Sequence, residues 1–145
     1  MTAVDSGERS TMQSAIALQK FASEHDRRRF SPVALEAFTT LAREWRLTEG
    51  EAASLLGMSE GAYDLLKQAA HPVLSQDQLA RMSAMIGIYK GLHLLFADST
   101  GDKWIRNPNS GPLFRGLAPI EAMVEGGIPA MIDVRMYIDA VREGR

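Results

Sequence analysis

Apolar residues recur at helical spacing along most of this chain, and that periodicity restricts its fold more than any other feature. The longest stripe occupies residues 79–96, where its members follow one another mostly at intervals of three or four. They are Leu79, Met82, Met85, Ile86, Tyr89, Leu92, His93 and Phe96. Gly87 and Gly91 lie within it and predict either close helix packing, which we favour, or a hinge. Because no segment alternates like a strand for long, the sequence predicts an all-α protein.

Residues with strong preferences for helix ends divide this pattern into separate helices. Ser31 and Pro32 suit an N-cap and a first helical turn, so we expect a helix to begin there. Its predicted apolar side comprises Val33, Leu35, Phe38, Leu41 and Trp45. Thr48 and Glu51 have the spacing of a capping box, and Ser75 is a predicted N-cap.

The C-terminal third is irregular before it becomes helical again. Prolines, glycines and asparagines over residues 107–116 predict an irregular but ordered loop. Pro119 is predicted to open a short helix, and Gly126-Gly127 to end it. A final helix is predicted over residues 128–141.

The composition fits a small globular protein. With 145 residues, 46% of them hydrophobic and 23% charged, the chain can bury the core of one domain or of two small ones. It contains no cysteine, which excludes disulfides and thiolate metal sites. A formal net charge of −2 argues against a generally basic nucleic-acid coat. Since no signal-peptide pattern or bilayer-length apolar run is found, we expect a cytoplasmic protein without membrane contact.

The helical segments predict three parts of the chain. Residues 1–10 are polar and are predicted to form a disordered tail. Residues 11–72 would contain the N-terminal helices, the first of which includes Ile16, Ala17 and Phe21, and residues 73–145 would form a C-terminal helical domain. The apolar surplus of the N-terminal helices favours a homodimer.

A helix-turn-helix is indicated between Glu49 and Leu66. Small side chains at Ala52 and Ala53 allow two helices to approach each other, and Gly57 falls at the turn. The space between the helices would be filled by Leu56, Met58, Tyr63 and Leu66. The possible DNA-binding residues are Ser59, Tyr63, Lys67 and Gln68.

The charge of this segment makes DNA binding the less favoured of its two uses. Between residues 46 and 70, Arg46 and Lys67 supply two positive charges. Four negative charges come from Glu49, Glu51, Glu60 and Asp64, so the sum is −2. Neutralised phosphates supply much of a protein's affinity for DNA. A structural or dimerising role is therefore favoured, and binding to promoter DNA stays open.

The sequence predicts neither catalysis nor a cofactor. His25, His71 and His93 are far apart, and none has a neighbour at metal-ligand spacing. Glu121 and Glu125 are four residues apart, which is also ordinary for an exposed helix surface. The sequence contains no nucleophile elbow, phosphate-binding loop or dinucleotide-binding motif. We expect no enzyme activity, no metal and no cofactor.

The last third of the chain carries an ordered series of motifs. They are Trp104-Ile-Arg-Asn-Pro-Asn109, Pro112-Leu-Phe-Arg-Gly116, Pro119-Ile-Glu-Ala-Met123, Gly126-Gly127 and Ile138-Asp-Ala-Val-Arg-Glu-Gly144. In this order they resemble the toxin-binding domain of the Xre/MbcA/ParS antitoxin family. The upstream helix-turn-helix agrees with the Xre-like part of that family.

The resemblance implies the antitoxin of a type II toxin–antitoxin system, with residues 73–145 as its toxin-binding domain. The implied partner is a RES-domain toxin that degrades NAD or uses it for ADP-ribosylation, and whose active site the antitoxin blocks or enters. The expected toxin-binding residues are Trp104, Asn107, Pro108, Asn109, Leu113, Phe114, Arg115, Arg142 and Arg145.

Alternatives remain for the residues and for the function. Trp104 and Phe114 are also explained by packing within the domain, which we favour for Trp104, and the terminal arginines by solvation. A helix-turn-helix DNA-binding autorepressor is the second interpretation of the chain, and an oligomerising adaptor is the third.

Overall fold

The computed structural model describes residues 21–144, and the regular structure in this range is entirely helical, which confirms the all-α prediction. The helices are α1 (Glu24–Glu44), α2 (Glu49–Leu55), α3 (Glu60–Gln68), α4 (Gln76–Leu95), α5 (Thr100–Trp104) and α6 (Pro119–Arg142). The predicted tail over residues 1–10 and the predicted helical residues Ile16 and Ala17 lie outside the described residues. None of the described helices is long and apolar enough to cross a membrane.

Helix α1 begins earlier than the sequence predicts. Its N-cap is Ser23, whose hydroxyl accepts the Asp26 N–H at 3.4 Å, and the helix starts at Glu24. The prediction of a start at Ser31-Pro32 was therefore wrong, because Pro32 lies inside the helix. A proline there removes one hydrogen bond of the helical ladder, so other contacts must maintain the helix.

Ser31 supplies one such contact. Its buried hydroxyl donates to the Arg27 carbonyl and accepts the Leu74 N–H at 2.9 Å, across 43 residues of sequence. This tertiary bond fastens α1 to the segment before α4.

The predicted apolar side of α1 needs one correction, because Val33 is 69% exposed. Leu35, Phe38, Leu41 and Trp45 are buried as predicted.

Most of the other predicted helix ends are confirmed. Thr48 and Glu51 form a reciprocal capping box at α2. The Ser75 hydroxyl accepts the Gln78 N–H at 3.1 Å at the start of α4. Gly127 has φ 65° and ψ −149°, so it kinks α6 where a helix end was predicted. Backbone angles of this kind are available almost only to glycine.

Helix α4 is the central element of the fold, since it packs against α1 on one side and α6 on another. Met82 and Met85 are fully buried in it, as core residues. A Cβ atom added to Gly91 would lie 2.6 Å from Cγ2 of Ile138 on α6. Close packing therefore explains this glycine. The buried cluster is continuous from Phe21 to Ile138.

Candidate functional site

The loop between α5 and α6 is held in one conformation by its own hydrogen bonds. The Asn109 side chain accepts the Gly111 N–H at 2.8 Å, which is an Asx-type turn. The Asn109 backbone also donates to Leu117 and accepts from Gly116, at 3.1 and 2.9 Å. At the base of the loop, the Ile120 N–H donates to the Ile105 carbonyl at 3.1 Å. The predicted order of this loop is confirmed, and its surface is preformed.

Three aromatic rings fasten this loop to the second half of α6. Trp104 stacks on Tyr137 with ring centroids 6.0 Å apart and an interplanar angle of 6°. Phe114 meets each of them edge-on at 5.6 Å. Such pairs add to the free energy gained by burial. Phe114 is buried, Trp104 is half-buried, and Tyr137 is 41% exposed.

A groove of about 670 Å³ runs between the loop and α6. Leu113, Phe114 and Arg115 line one wall, and Ala130 and Val134 line the other. Leu113 is 38% exposed and Arg115 is exposed, whereas Phe114 is only 1% exposed. The groove thus presents an apolar side chain and a guanidinium to the outside, and Phe114 holds the loop from within.

The other predicted toxin-binding residues that the structure describes do not line this groove. Asn107 and Pro108 are exposed, and Asn107 lines a different cavity beside the end of α1. Arg142 is the last residue of α6 and pairs with Asp139 at 3.6 Å, so it belongs to the helix. Arg145 lies outside the described residues.

Helices α2 and α3 form the predicted helix-turn-helix. Gly57 has φ 68° at the turn between them, and Ala52 and Ala53 are buried where the helices approach. The Ser59 hydroxyl accepts the Ala62 N–H at 3.1 Å and caps α3. Leu65 of α3 is 70% exposed, so part of the outer face of this helix is apolar.

The side chains predicted to contact DNA are mostly engaged within the protein. Tyr63 is 3% exposed and packs edge-on against Phe38, and burial raises the pKa of its hydroxyl. Lys67 donates to both carboxylate oxygens of Glu49, at 2.8 and 2.9 Å, and this bond raises the pKa of the ammonium. The Gln68 amide donates to Asp64 at 2.9 Å.

An ion pair that the sequence did not suggest ties the helix-turn-helix to the C-terminal part. Arg106 donates to both oxygens of Glu51, at 3.1 and 3.2 Å, and to the Trp45 carbonyl at 3.2 Å. These partners are 55 and 61 residues away in sequence. A pattern within a short stretch of sequence therefore could not have predicted that Arg106 contacts these residues.

The histidines do not converge in the part of the chain that the structure describes. His93 is exposed, so its predicted place in the apolar stripe of α4 was wrong. Its Nε2 lies 3.3 Å from the buried Asp102 carboxylate, and its ring lies 4.3 Å from that of Tyr89. Residues 21–144 contain no group of three or more His, Cys, Asp or Glu side chains suited to a metal ion. Glu121 accepts the Ala118 N–H at 3.0 Å and so caps α6.

Comparison with known proteins identifies the helix-turn-helix. Residues 25–87 match the family described as antitoxin Xre-like helix-turn-helix domain. A relative from Sinorhizobium fredii (strain NBRC 101917 / NGR234), named uncharacterized protein y4oB, is 36% identical over 115 residues, 78% of this chain and 87% of that protein. The chain belongs to the Xre-like antitoxin family. The family match covers α1 to α3 and the first part of α4 in this Xre-like protein. No solved structure gives a significant match.

Sequence reasoning missed two features of this Xre-like protein that bear on its surfaces. Tyr137 is the third ring of the aromatic cluster. Its place next to the buried Ile138 in the last helix was the one sequence signal that it lies at the edge of the core. Arg46 and Arg115 adopt φ values of 56° and 52°, and in residues 21–144 they are the only non-glycine residues with positive φ. Nothing in the sequence around them distinguishes these two arginines from others.

Proposed function

We propose that this chain is the antitoxin of a type II toxin–antitoxin system and neutralises its toxin by binding, without catalysis of its own. The toxin is a RES-domain protein that consumes NAD, and the groove between the α5–α6 loop and α6 is the contact surface. The antitoxin covers the toxin's active site. The observation that carries the proposal is the antitoxin Xre-like domain match over residues 25–87. The motifs of residues 104–144 resemble those of toxin-binding domains and support it.

The groove has the properties that a docking surface requires. Its loop is already ordered by hydrogen bonds within the chain, so docking loses little conformational entropy. Leu113 and Arg115 are exposed in its lining, and the exposed Tyr137 lies beside it in contact with Phe114. Arginine and aromatic residues are the types in which binding energy concentrates. Buried Phe114 supports these residues from below.

Co-expression with the product of the neighbouring reading frame, which the proposal expects to be a RES-domain toxin, tests the proposal. We expect a stable co-purifying complex and restored growth. Leu113→Asp places a charge in the groove and should weaken the complex by roughly tenfold or more. Leu94→Asp is the matched control, because Leu94 is an exposed leucine of α4 away from the groove. Equal loss of binding in both variants, or in neither, contradicts the proposed surface.

Removal of residues 142–145 separates the groove from the C-terminal tip. If Arg142 or Arg145 enters the toxin's active site, the truncated chain still binds toxin but no longer protects cells. Full protection by the truncated chain removes the tip from the mechanism and leaves the groove as the blocking surface.

A DNA-binding autorepressor is the second candidate function, and the geometry of α2 and α3 favours it. Both helices are capped, and the turn at Gly57 has the expected backbone angles. The acidic outer face of α3 works against tight binding. Fluorescence anisotropy with the chain's own promoter duplex, with and without toxin, tests this role across several salt concentrations. Sequence-selective binding that weakens with salt supports it, and equal weak binding to unrelated duplexes contradicts it.

A further inference from the structure

An apolar cleft of about 380 Å³ lies between α1 and α4, and we call it the α1–α4 cleft. It shares no lining residue with the proposed toxin-binding groove. Two of its large lining residues, Phe30 and Val33, are 41% and 69% exposed. Four others are small and leave room for a further helix, namely Ala34, Ala37, Ser83 and Gly87. An apolar segment that covers this surface gains the free energy of burial.

The cleft has a direction, because α1 and α4 run the same way along it. Near their starts, the Leu74 N–H just before α4 donates to Ser31 of α1 at 2.9 Å. Near their ends, the Tyr89 ring of α4 lies 6.3 Å from that of Trp45, the C-cap of α1. The cleft therefore has a first end, towards the starts of both helices, and a second end.

The two ends of the cleft differ in charge. At the first end the rings of Phe21 and Phe30 meet edge-on at 6.0 Å. Lys90 and Arg135 line the second end, where Arg135 Nε would lie 2.5 Å from a Cβ atom added to Gly87. Neither cation forms an ion pair within residues 21–144, and no carboxylate of that range lines the cleft. The second end is therefore positive and without a counter-charge from these residues.

The chain itself contains a segment with the matching pattern and position. The described residues begin at Phe21, at the first end of the cleft, so residues 8–20 immediately precede that point. At helical spacing, Met12, Ala15 and Ile16 share one face, and Glu8 lies on the same face one turn earlier. A helix over residues 8–20 is about 20 Å long, and α4 rises about 16 Å between residues 79 and 90. Such a helix reaches from the apolar end to the positive end.

We propose that residues 8–20 of this same chain dock in the α1–α4 cleft as an amphipathic helix. Its apolar face covers Phe30 and Val33, and the Glu8 carboxylate lies beside Lys90 and Arg135. The predicted disordered tail then ends at residue 7. This contact is independent of the proposed antitoxin function, because it uses neither the groove nor the helix-turn-helix.

Disulfide trapping in the full chain tests the proposal, because the natural sequence contains no cysteine. Positions 16 and 83 lie four or five residues from the first end of the cleft. Ile16→Cys with Ser83→Cys should therefore form a disulfide within one chain when oxidised glutathione is added. Ser14→Cys with Ser83→Cys is the matched control, since position 14 lies on the opposite side of the proposed helix. The first pair should react roughly tenfold faster or more, because docking raises its effective concentration.

Charge reversal tests the direction of the proposed helix. Glu8→Lys should slow disulfide formation in the first pair about two- to fivefold, as expected for loss of an exposed ion pair. Adding Lys90→Glu should restore much of that rate. Equal rates for the two cysteine pairs, or no effect of Glu8→Lys, overturn the proposal. A disulfide formed mainly between two chains overturns it as well, because a second copy then supplies the segment that fills the cleft.

Discussion

Glu51 performs two tasks with one carboxylate. It accepts the Thr48 N–H at 2.9 Å, which closes the capping box of α2, and it receives both hydrogen bonds from Arg106. Burial raises the pKa of this carboxyl, but the bonds from Arg106 and Thr48 and the charge of Arg106 outweigh it. The pKa therefore lies below its ordinary value of 4.5.

Glu51→Gln should lower the free energy of unfolding by about 1 kcal/mol near neutral pH, a modest value because the ion pair is partly exposed. A lowered pKa means that the carboxylate stabilises the fold above pH 4.5 and loses this contribution as the pH falls through the folded-state pKa. Urea denaturation at neutral and acidic pH measures both effects. The difference between variant and parent should shrink in acid. The exposed Glu36→Gln serves as control, and an equal loss there contradicts the assignment.

Arg46 and Arg115 share an unusual backbone conformation at two separate surfaces. Each has a positive φ that glycine adopts without strain. Arg46→Gly and Arg115→Gly should therefore leave the free energy of unfolding unchanged or raise it by up to about 1 kcal/mol. Arg115→Gly should at the same time weaken toxin binding. Urea denaturation checks the first expectation and co-purification the second. Marked destabilisation by either change would mean that the side chain itself supports the fold.

At the scale of helices, contact between α4 and α6 depends on a glycine. Gly91→Ala would place a methyl group 2.6 Å from Ile138 Cγ2 in a buried contact, so the helices must separate. We expect a loss of about 1–3 kcal/mol in the free energy of unfolding. Gly61 in α3 has open space around it, and Gly61→Ala should stabilise the chain by about 0.5–1 kcal/mol through helix propensity. Equal effects of the two changes in urea denaturation would contradict the packing explanation.

The helices were largely predictable from sequence because most of their ends are set locally. Thr48, Ser59 and Ser75 bond to amides three residues ahead, so a short window of sequence contains the whole interaction. The start of α1 was missed although Ser23 caps it just as locally. The Leu74 N–H donates to Ser31 across 43 residues, and the sequence does not reveal this support for a helix that continues through Pro32. Proline at position 32 gave a strong but misleading local signal.

The candidate site was predictable only in part, for the same reason. The turn residues of the loop reveal its order, since Asn109 bonds to Gly111 two positions on. The groove, however, exists only once the loop meets α6, and Tyr137 and Trp104 are 33 positions apart in the sequence. A cavity beside the end of α1 likewise joins residues 43–46 to residues 99–107, which are at least 53 positions apart. Tertiary packing decides which side chains share a surface, and no short segment of the sequence contains that information.

At the scale of the molecule, one buried cluster spans both predicted domains. Helix α4 follows the predicted boundary between residues 72 and 73 and packs on α1 before it and α6 after it. The family match likewise continues past that boundary to residue 87. A fragment limited to the matched region would lose α6 and expose the side of α4 that α6 covers. The helix-turn-helix and the proposed toxin-binding surface should therefore fold together.

The whole chain should unfold in a single cooperative transition. A Trp104→Phe variant retains Trp45, which is fully buried in the N-terminal region, as its only fluorescent indole. Its fluorescence reports on α1, whereas far-ultraviolet circular dichroism reports on all helices. If one core connects the two regions, both signals should give the same urea midpoint and the same slope. Fluorescence that changes at a different urea concentration from the helical signal would mean that the regions on either side of residue 72 unfold independently, as two domains do, despite their shared contact with α4.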